Sequence, residues 1–139
     1  MWHKAVYLLA TSTVRISIPN YEVIILMKVY LKDLKAPYYL EQTFSYAQGL
    51  GIDFKKSGDF YMASCPFHSD TMPSFYLHTA RGKVHFTCFS KKCEGSWDIF
   101  DLIQEIEKCD FIAAVKQFSQ YLGINEVILP PGTIIKVSG

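Results

Sequence analysis

The sequence is short of charge. Only 19% of its 139 residues are Asp, Glu, Lys or Arg, and 14 bases against 13 acids leave a formal net charge of +1. So neutral a chain does not hold a polyanion by its overall field, and any nucleic-acid surface must come from where individual bases stand. Long apolar runs are missing as well. The stretches 5–10 and Val23 to Met27 fall well short of the roughly 20 apolar residues that span a bilayer. The first of them follows Lys4 as in a signal peptide, but Arg15 interrupts what comes next and no small-residue cleavage site is evident, so a secretory route is not indicated. Nor is there a recognisable grouping of carboxylates of the kind that holds catalytic magnesium. Asp98, Asp101, Glu105 and Glu107 read as the wet face of one amphipathic helix. The chain alone is therefore not expected to catalyse phosphoryl transfer. What it does have is apolar mass: half of its residues are hydrophobic, which makes it globular and not disordered.

Cysteine is scarce, with four in the chain, and three of them fall into a pattern with a histidine. Cys65 and His68 are separated by two residues, Cys88 and Cys93 by four. Short gaps inside each pair and a longer gap between pairs is the ligand spacing of structural zinc sites. Three thiolates and one imidazole form a closed tetrahedral set with no position for a reactive water, so one zinc ion would hold the fold and do no chemistry. The competing use of the cysteines is a disulfide or a thiol redox pair. With no secretory signal a reducing, cytoplasmic compartment is the better expectation, and it disfavours both. His85, three residues before Cys88, competes as a ligand, but three steps along a strand put it on the opposite face. Cys109 has no partner in sequence and reads as a partly buried free thiol.

Around this stretch the order of elements is legible. A first helix is expected within Leu34 to Leu50, starting after Pro37, with Leu40, Phe44 and Ala47 on one face and Gly49 and Gly51 at its end. Residues 54–63 read as strand, Ser-Gly turn and strand, delivering the chain to Cys65. Ser69-Asp70-Thr71-Met72-Pro73 reads as a turn. Phe75 to His78 and Lys83 to Thr87 read as a hairpin closed around Ala80-Arg81-Gly82. Ser96 is expected to cap a second helix with Asp98 in its first turn and Ile99, Leu102, Ile103 and Ile106 as its apolar stripe. Asp110 caps a third, with Phe111, Ile112, Val115, Phe118 and Leu122 inward and Gly123 at its end. Val14 to Ile18 alternates like a strand. Met27 is a second candidate start, which would make the first 26 residues upstream sequence. The expected architecture is α+β: a small antiparallel sheet of the zinc-ribbon type with a zinc knuckle, flanked by about three helices. The expected divisions are an unassigned extension 1–33, the zinc-binding domain 34–124 and a tail or linker 125–139.

Residues 61–75, with Cys65-Pro66-Phe67-His68 followed by Pro73-Ser74-Phe75, resemble the zinc-binding domain at the N-terminus of bacterial and phage DnaG-type DNA primases. The likeness continues through Cys88-Phe89, Cys93, Gly95, Ile99-Phe100 and the two following helices, covering about Leu34 to Ile124. Two features depart from that family. Its second knuckle usually closes as Cys-Phe-Gly-Cys, whereas this one carries two extra residues, and Trp97 stands where a glycine is usual. A counterpart of the family's Toprim-type catalytic domain is not recognisable. The resemblance implies that Cys65, His68, Cys88 and Cys93 hold zinc. It implies a module that binds single-stranded DNA template during primer synthesis, in company with a primase polymerase domain and a replicative helicase. Such a surface uses rings for base stacking and cations for phosphates, and its candidates are Lys55, Lys56, Tyr76, Arg81, Lys83, His85, Lys91 and Lys92. Phe75, Phe86 and Phe89 are expected to pack in the core beside the zinc. A stand-alone, non-enzymatic zinc protein of a mobile element, binding DNA or a replication protein, is the alternative.

Overall fold

The computed structural model describes residues 10–17, 22–68 and 72–137. The signal-like stretch up to Leu9 and the first three residues of the turn expected over Ser69 to Pro73 lie outside them. In chain order the elements are β1 (Ala10–Ser17), β2 (Glu22–Tyr30), two 3-10 turns (Leu31–Lys35 and Pro37–Tyr39), α1 (Leu40–Gly49), β3 (Lys55–Ser57), β4 (Phe60–Ala63), β5 (Phe75–Ala80), β6 (Lys83–Cys88), β7 (Ser96–Trp97), α2 (Ile99–Glu107), α3 (Phe111–Leu122), β8 (Glu126–Leu129) and β9 (Thr133–Lys136). They form two compact units, one of residues 35–114 and one of residues 1–34 with 115–139.

The unit 35–114 is built on a five-stranded sheet in the order β3-β4-β5-β6-β7, antiparallel throughout. Alternation makes it two-sided. Phe75, Leu77, Val84, Phe86 and Cys88 are buried on one face, while Tyr76, His78, His85 and Thr87 lie on the other and are less covered. Phe75, Leu77 and Phe86 are wholly buried, and each such side chain contributes about 1.5–3 kcal/mol of transfer free energy. Phe54 packs between them, its ring centroid 5.9 Å from that of Phe75 and 6.0 Å from that of Phe86. The β5–β6 hairpin closes through Arg81 and Gly82, both at positive φ (55° and 73°), as a two-residue turn matched to strand twist requires.

Helix α1 is tied to the inner face of β4. Phe44 stacks on Tyr61 at 4.2 Å between centroids, and the Tyr61 hydroxyl donates to Glu41 Oε2 at 2.7 Å. Helix α2 begins two residues later than Ser96 suggests. Ser96 and Trp97 pair with Thr87 and Phe86 as β7, so the cap passes to Asp98. Asp98 Oδ1 accepts from the Asp101 N–H at 2.8 Å, and the Asp98 N–H donates to Asp101 Oδ2 at 3.1 Å, a capping box. Ile99, Leu102 and Ile103 are buried as the apolar stripe requires. Asp110 caps α3 through the Ala113 N–H at 2.8 Å. Val115 and Phe118 are fully buried, but Ile112, expected inward, is exposed.

The other unit carries a second sheet, which the sequence did not announce. Its order is β1-β2-β8-β9, with β2 and β8 parallel and the remaining pairs antiparallel. The strand expected near Val14 is β1, and the apolar run Val23 to Met27 lies within β2. Lys28 and Glu126, partners across the parallel pair, form an ion pair at 3.5 Å. Val29 and Val127 are fully buried.

Candidate metal centre and nucleic-acid face

Three local structures bring four soft donors together. Cys65 follows β4 by one residue, and the turn at Pro66-Phe67 brings His68 back toward it. Cys88 is the last residue of β6, held by its N–H to the Gly95 carbonyl at 2.9 Å. Cys93 sits in a turn whose N–H groups, from Cys93 and Glu94, both donate to the Ser90 carbonyl at 3.0 and 2.9 Å. One ligand atom from each of Cys65, His68, Cys88 and Cys93 lies within 4.8 Å of the others. Cys65 Sγ is 3.9 Å from Cys93 Sγ, and His68 Nε2 is 3.2 Å from Cys88 Sγ. Sulfurs bound tetrahedrally at about 2.3 Å stand about 3.8 Å apart, so the spacing fits one zinc-sized ion. His85 pairs with His78 on the other face of the sheet, away from this set.

The electrostatics point the same way. Burial pushes the Cys65 thiol up to about 12 and raises that of Cys93. At Cys88 burial also acts upward, but hydrogen bonds from His68, the Ser90 backbone and Ser74 outweigh it and bring the thiol to about 7. Three thiolates this close repel one another and are stable together only around a cation. Trp97 braces the site from β7. Its ring stacks on Phe67 at 4.8 Å and meets the edge of Phe75 at 5.6 Å, and a Cβ at Gly95 would overlap it.

The opposite face of the sheet carries the rings and bases. Cross-strand rows place Lys55, Met62, Tyr76 and Thr87 in line, with His78 beside His85 in the next row. Phe60 and Tyr76 have ring centroids 5.2 Å apart, Tyr76 and Phe89 5.2 Å, His78 and Phe89 6.4 Å, and His78 and His85 6.1 Å. His78 Nε2 lies 2.9 Å from Thr87 Oγ1. Phe75 and Phe86 are core residues as expected, but Phe89 is 63% exposed. The reason is register: the Phe89 N–H continues the ladder to the Ser74 carbonyl, so alternation turns Cys88 inward and Phe89 outward. The structure therefore gathers Lys55, Tyr76, Lys83 and His85 on one face, with Arg81 at the hairpin tip and Lys91 and Lys92 in the knuckle. Lys56 falls on the other face, beside Tyr61 and Glu41. Lys55 and Lys56 are engaged with Asp53 and Glu41, whereas Arg81, Lys83, Lys91 and Lys92 are exposed and form no ion pair among the described residues. Phe60 and His78 join the face without having been singled out from sequence, and Phe89 joins it although it was expected in the core. Counting His78 two residues on from Tyr76 would have found it.

The model of the CHC2 zinc finger family matches residues 36–129. The chain belongs to that family. It is similar to the DNA primase of Thermotoga maritima, with 36% identity over 74 residues, 53% of this chain and 12% of that protein. It is similar also to the DNA primase of Enterococcus faecalis, with 41% identity over 69 residues, 50% of this chain and 10% of that protein. The chain thus matches only about a tenth of the length of these relatives. Among solved structures it resembles the Aquifex aeolicus primase (zinc-binding and RNA polymerase domains), with a TM-score of 0.48 and 22% identity over 60% of this chain and 21% of that one. No helix among the described residues is long and apolar enough to cross a membrane.

Proposed function

We propose that the unit 35–114 is a template-binding module of a DNA primase, holding one structural zinc ion through Cys65, His68, Cys88 and Cys93 and single-stranded DNA on the outer face of its sheet. The observation that carries this reading is the continuous ring surface of Phe60, Tyr76, Phe89, His78 and His85, bordered by the exposed bases Arg81, Lys83, Lys91 and Lys92, which form no ion pair among the described residues. Single strands are bound this way, with bases on ring faces and phosphates on cations. Bound zinc supplies no chemistry here; it fixes the two knuckles at the ends of β4 and β6, and so the loops that carry Phe89, Lys91 and Lys92. Primer synthesis would fall to a polymerase domain acting with this module in the cytoplasm, where a replicative helicase would be its further partner. The test is fluorescence anisotropy of a labelled oligo-dT strand with the zinc-loaded chain at several salt concentrations. Salt-sensitive binding that Tyr76→Ala weakens is expected. No binding at low salt would refute the reading.

A further inference from the structure

At one edge of the five-stranded sheet the ladder stops short. β7 is two residues long and meets β6 at Phe86 and Thr87 only, while β6 begins at Lys83. In an antiparallel strand the N–H and C=O of one residue point to the same edge, and successive residues take alternate edges. The Cys88 N–H bonds to the Gly95 carbonyl, so Cys88, Phe86 and Val84 all turn their backbone groups toward the β7 side. Phe86 and Cys88 are met there. Val84 is met by no strand among the described residues, although the residue is only 3% exposed. A backbone donor and acceptor thus lie side by side in a nearly closed place with no strand opposite, which costs free energy unless something supplies the missing bonds.

What lies before them is a cleft of about 230 Å³, walled by Lys83 and His85 on the strand side and by Lys35, Asp98 and Asp101 on the other. Drug-sized ligands occupy roughly 300–1,000 Å³, so this space suits one flat ring system and not a stack. The carboxylates are differently committed. Asp98 uses one oxygen on the Asp101 N–H and the other on Lys35 Nζ at 3.3 Å. Asp101 accepts the Asp98 N–H on Oδ2 and lies against the Asp98 carboxyl, and no donor other than that N–H reaches its side chain among the described residues. Lys83 and His85 belong both to this cleft and to the outer face of the sheet, so a strand lying on that face passes the cleft's mouth.

We propose that the cleft takes in a single base of the bound strand, one with an exocyclic amine: adenine, cytosine or guanine. Each of these presents a donor beside an acceptor, which the Val84 C=O and N–H complement. The amine has a further hydrogen for Asp101, and the neighbouring phosphate falls to Lys83. Thymine can match Val84 but would turn a carbonyl oxygen toward the carboxylate. The inference rests on the template-binding reading, and two measurements separate their fates. The first compares oligo-dT with the same strand carrying one central dC, using the zinc-loaded full chain. Bidentate base contacts discriminate by about 1–3 kcal/mol, or roughly 5- to 150-fold, so tighter binding of the dC strand by about tenfold is expected. Asp101→Asn, whose amide can donate to a thymine carbonyl, should remove that preference without weakening oligo-dT binding. Equal affinity for the two strands overturns the cleft assignment while template binding stands. If oligo-dT does not bind at all, template binding fails, and titration with dCMP and dTMP followed at the Val84 amide by NMR still decides the cleft. A saturable shift with dCMP, weaker with dTMP and lost in Asp101→Asn, supports it; a Val84 amide that does not move overturns it.

Discussion

Phe89 is the residue at which folding and binding come apart most cleanly. Its ring stands directly beyond a metal-ligand position, 63% exposed, against Tyr76 and His78. Removing a wholly buried phenylalanine costs about 3–5 kcal/mol. Phe89 has about a third of its surface covered, so Phe89→Ala should cost only about 1 kcal/mol of stability. Stacking of a base on an aromatic ring is worth about 1–3 kcal/mol by alanine substitution, so the same change should weaken oligo-dT binding by roughly 5- to 150-fold. Phe86, three residues earlier and fully buried, is the control: Phe86→Ala should cost the full core penalty. Denaturant melts of both zinc-loaded variants and anisotropy on the Phe89 variant give the two numbers. If Phe89→Ala destabilises as much as Phe86→Ala, or binds the strand with unchanged affinity, the division of the sheet into a packed face and a reading face is wrong.

The metal centre predicts a pH dependence of definite sign. With Cys65 raised to about 12 by burial, the metal-free fold holds that thiol protonated, so it loses stability as pH rises from about 9 through 12, whereas zinc binding releases protons and tightens as pH rises; zinc competition assays and melts across pH check both. At the second knuckle, Lys91→Ala with Lys92→Ala should lower the slope of log affinity against log salt by about 1.4 on a single strand, with zinc content unchanged. An unaltered slope would place the knuckle away from the phosphates. Gly95→Ala should push the Trp97 indole off Phe67 and destabilise the unit by about 1–3 kcal/mol, so an unshifted thermal midpoint would show that the ring has room to move.

The four-donor cluster was legible because its spacing is local: each pair of donors lies within a few residues, and the strands that bring the pairs together show their own alternation. Residues 75–88 could be divided into faces by parity alone. Phe89 was misjudged because its hydrophobicity suggested the core, whereas the Phe89 N–H bond to Ser74 extends the strand pattern one residue past Cys88. The start of α2 was misplaced for a related reason. Ser96 has the chemistry of a cap, but its partner Thr87 is distant in sequence, and pairing overrides cap preference. The second sheet was the least visible. β8 and β9 are four residues each, and β8 is ordered beside β2 by a parallel pairing across nearly a hundred residues, a relation no local pattern encodes. The cleft beside Val84 was invisible for the same cause, since it exists only because β7 is shorter than β6.

The bond between the Cys88 N–H and the Gly95 carbonyl closes a small loop, and past Phe89, whose N–H still reaches Ser74, the residues before Gly95 lie outside the ladder. Residues can therefore be inserted or removed between Phe89 and Cys93 without moving the register of any strand, provided the last cysteine still reaches the set. The knuckle is in this sense a dial separate from the frame. Two extra lysines can be added at the rim of the outer face, or lost from it, without renegotiating the core, so the charge carried beside the rings can change while the sheet stays the same.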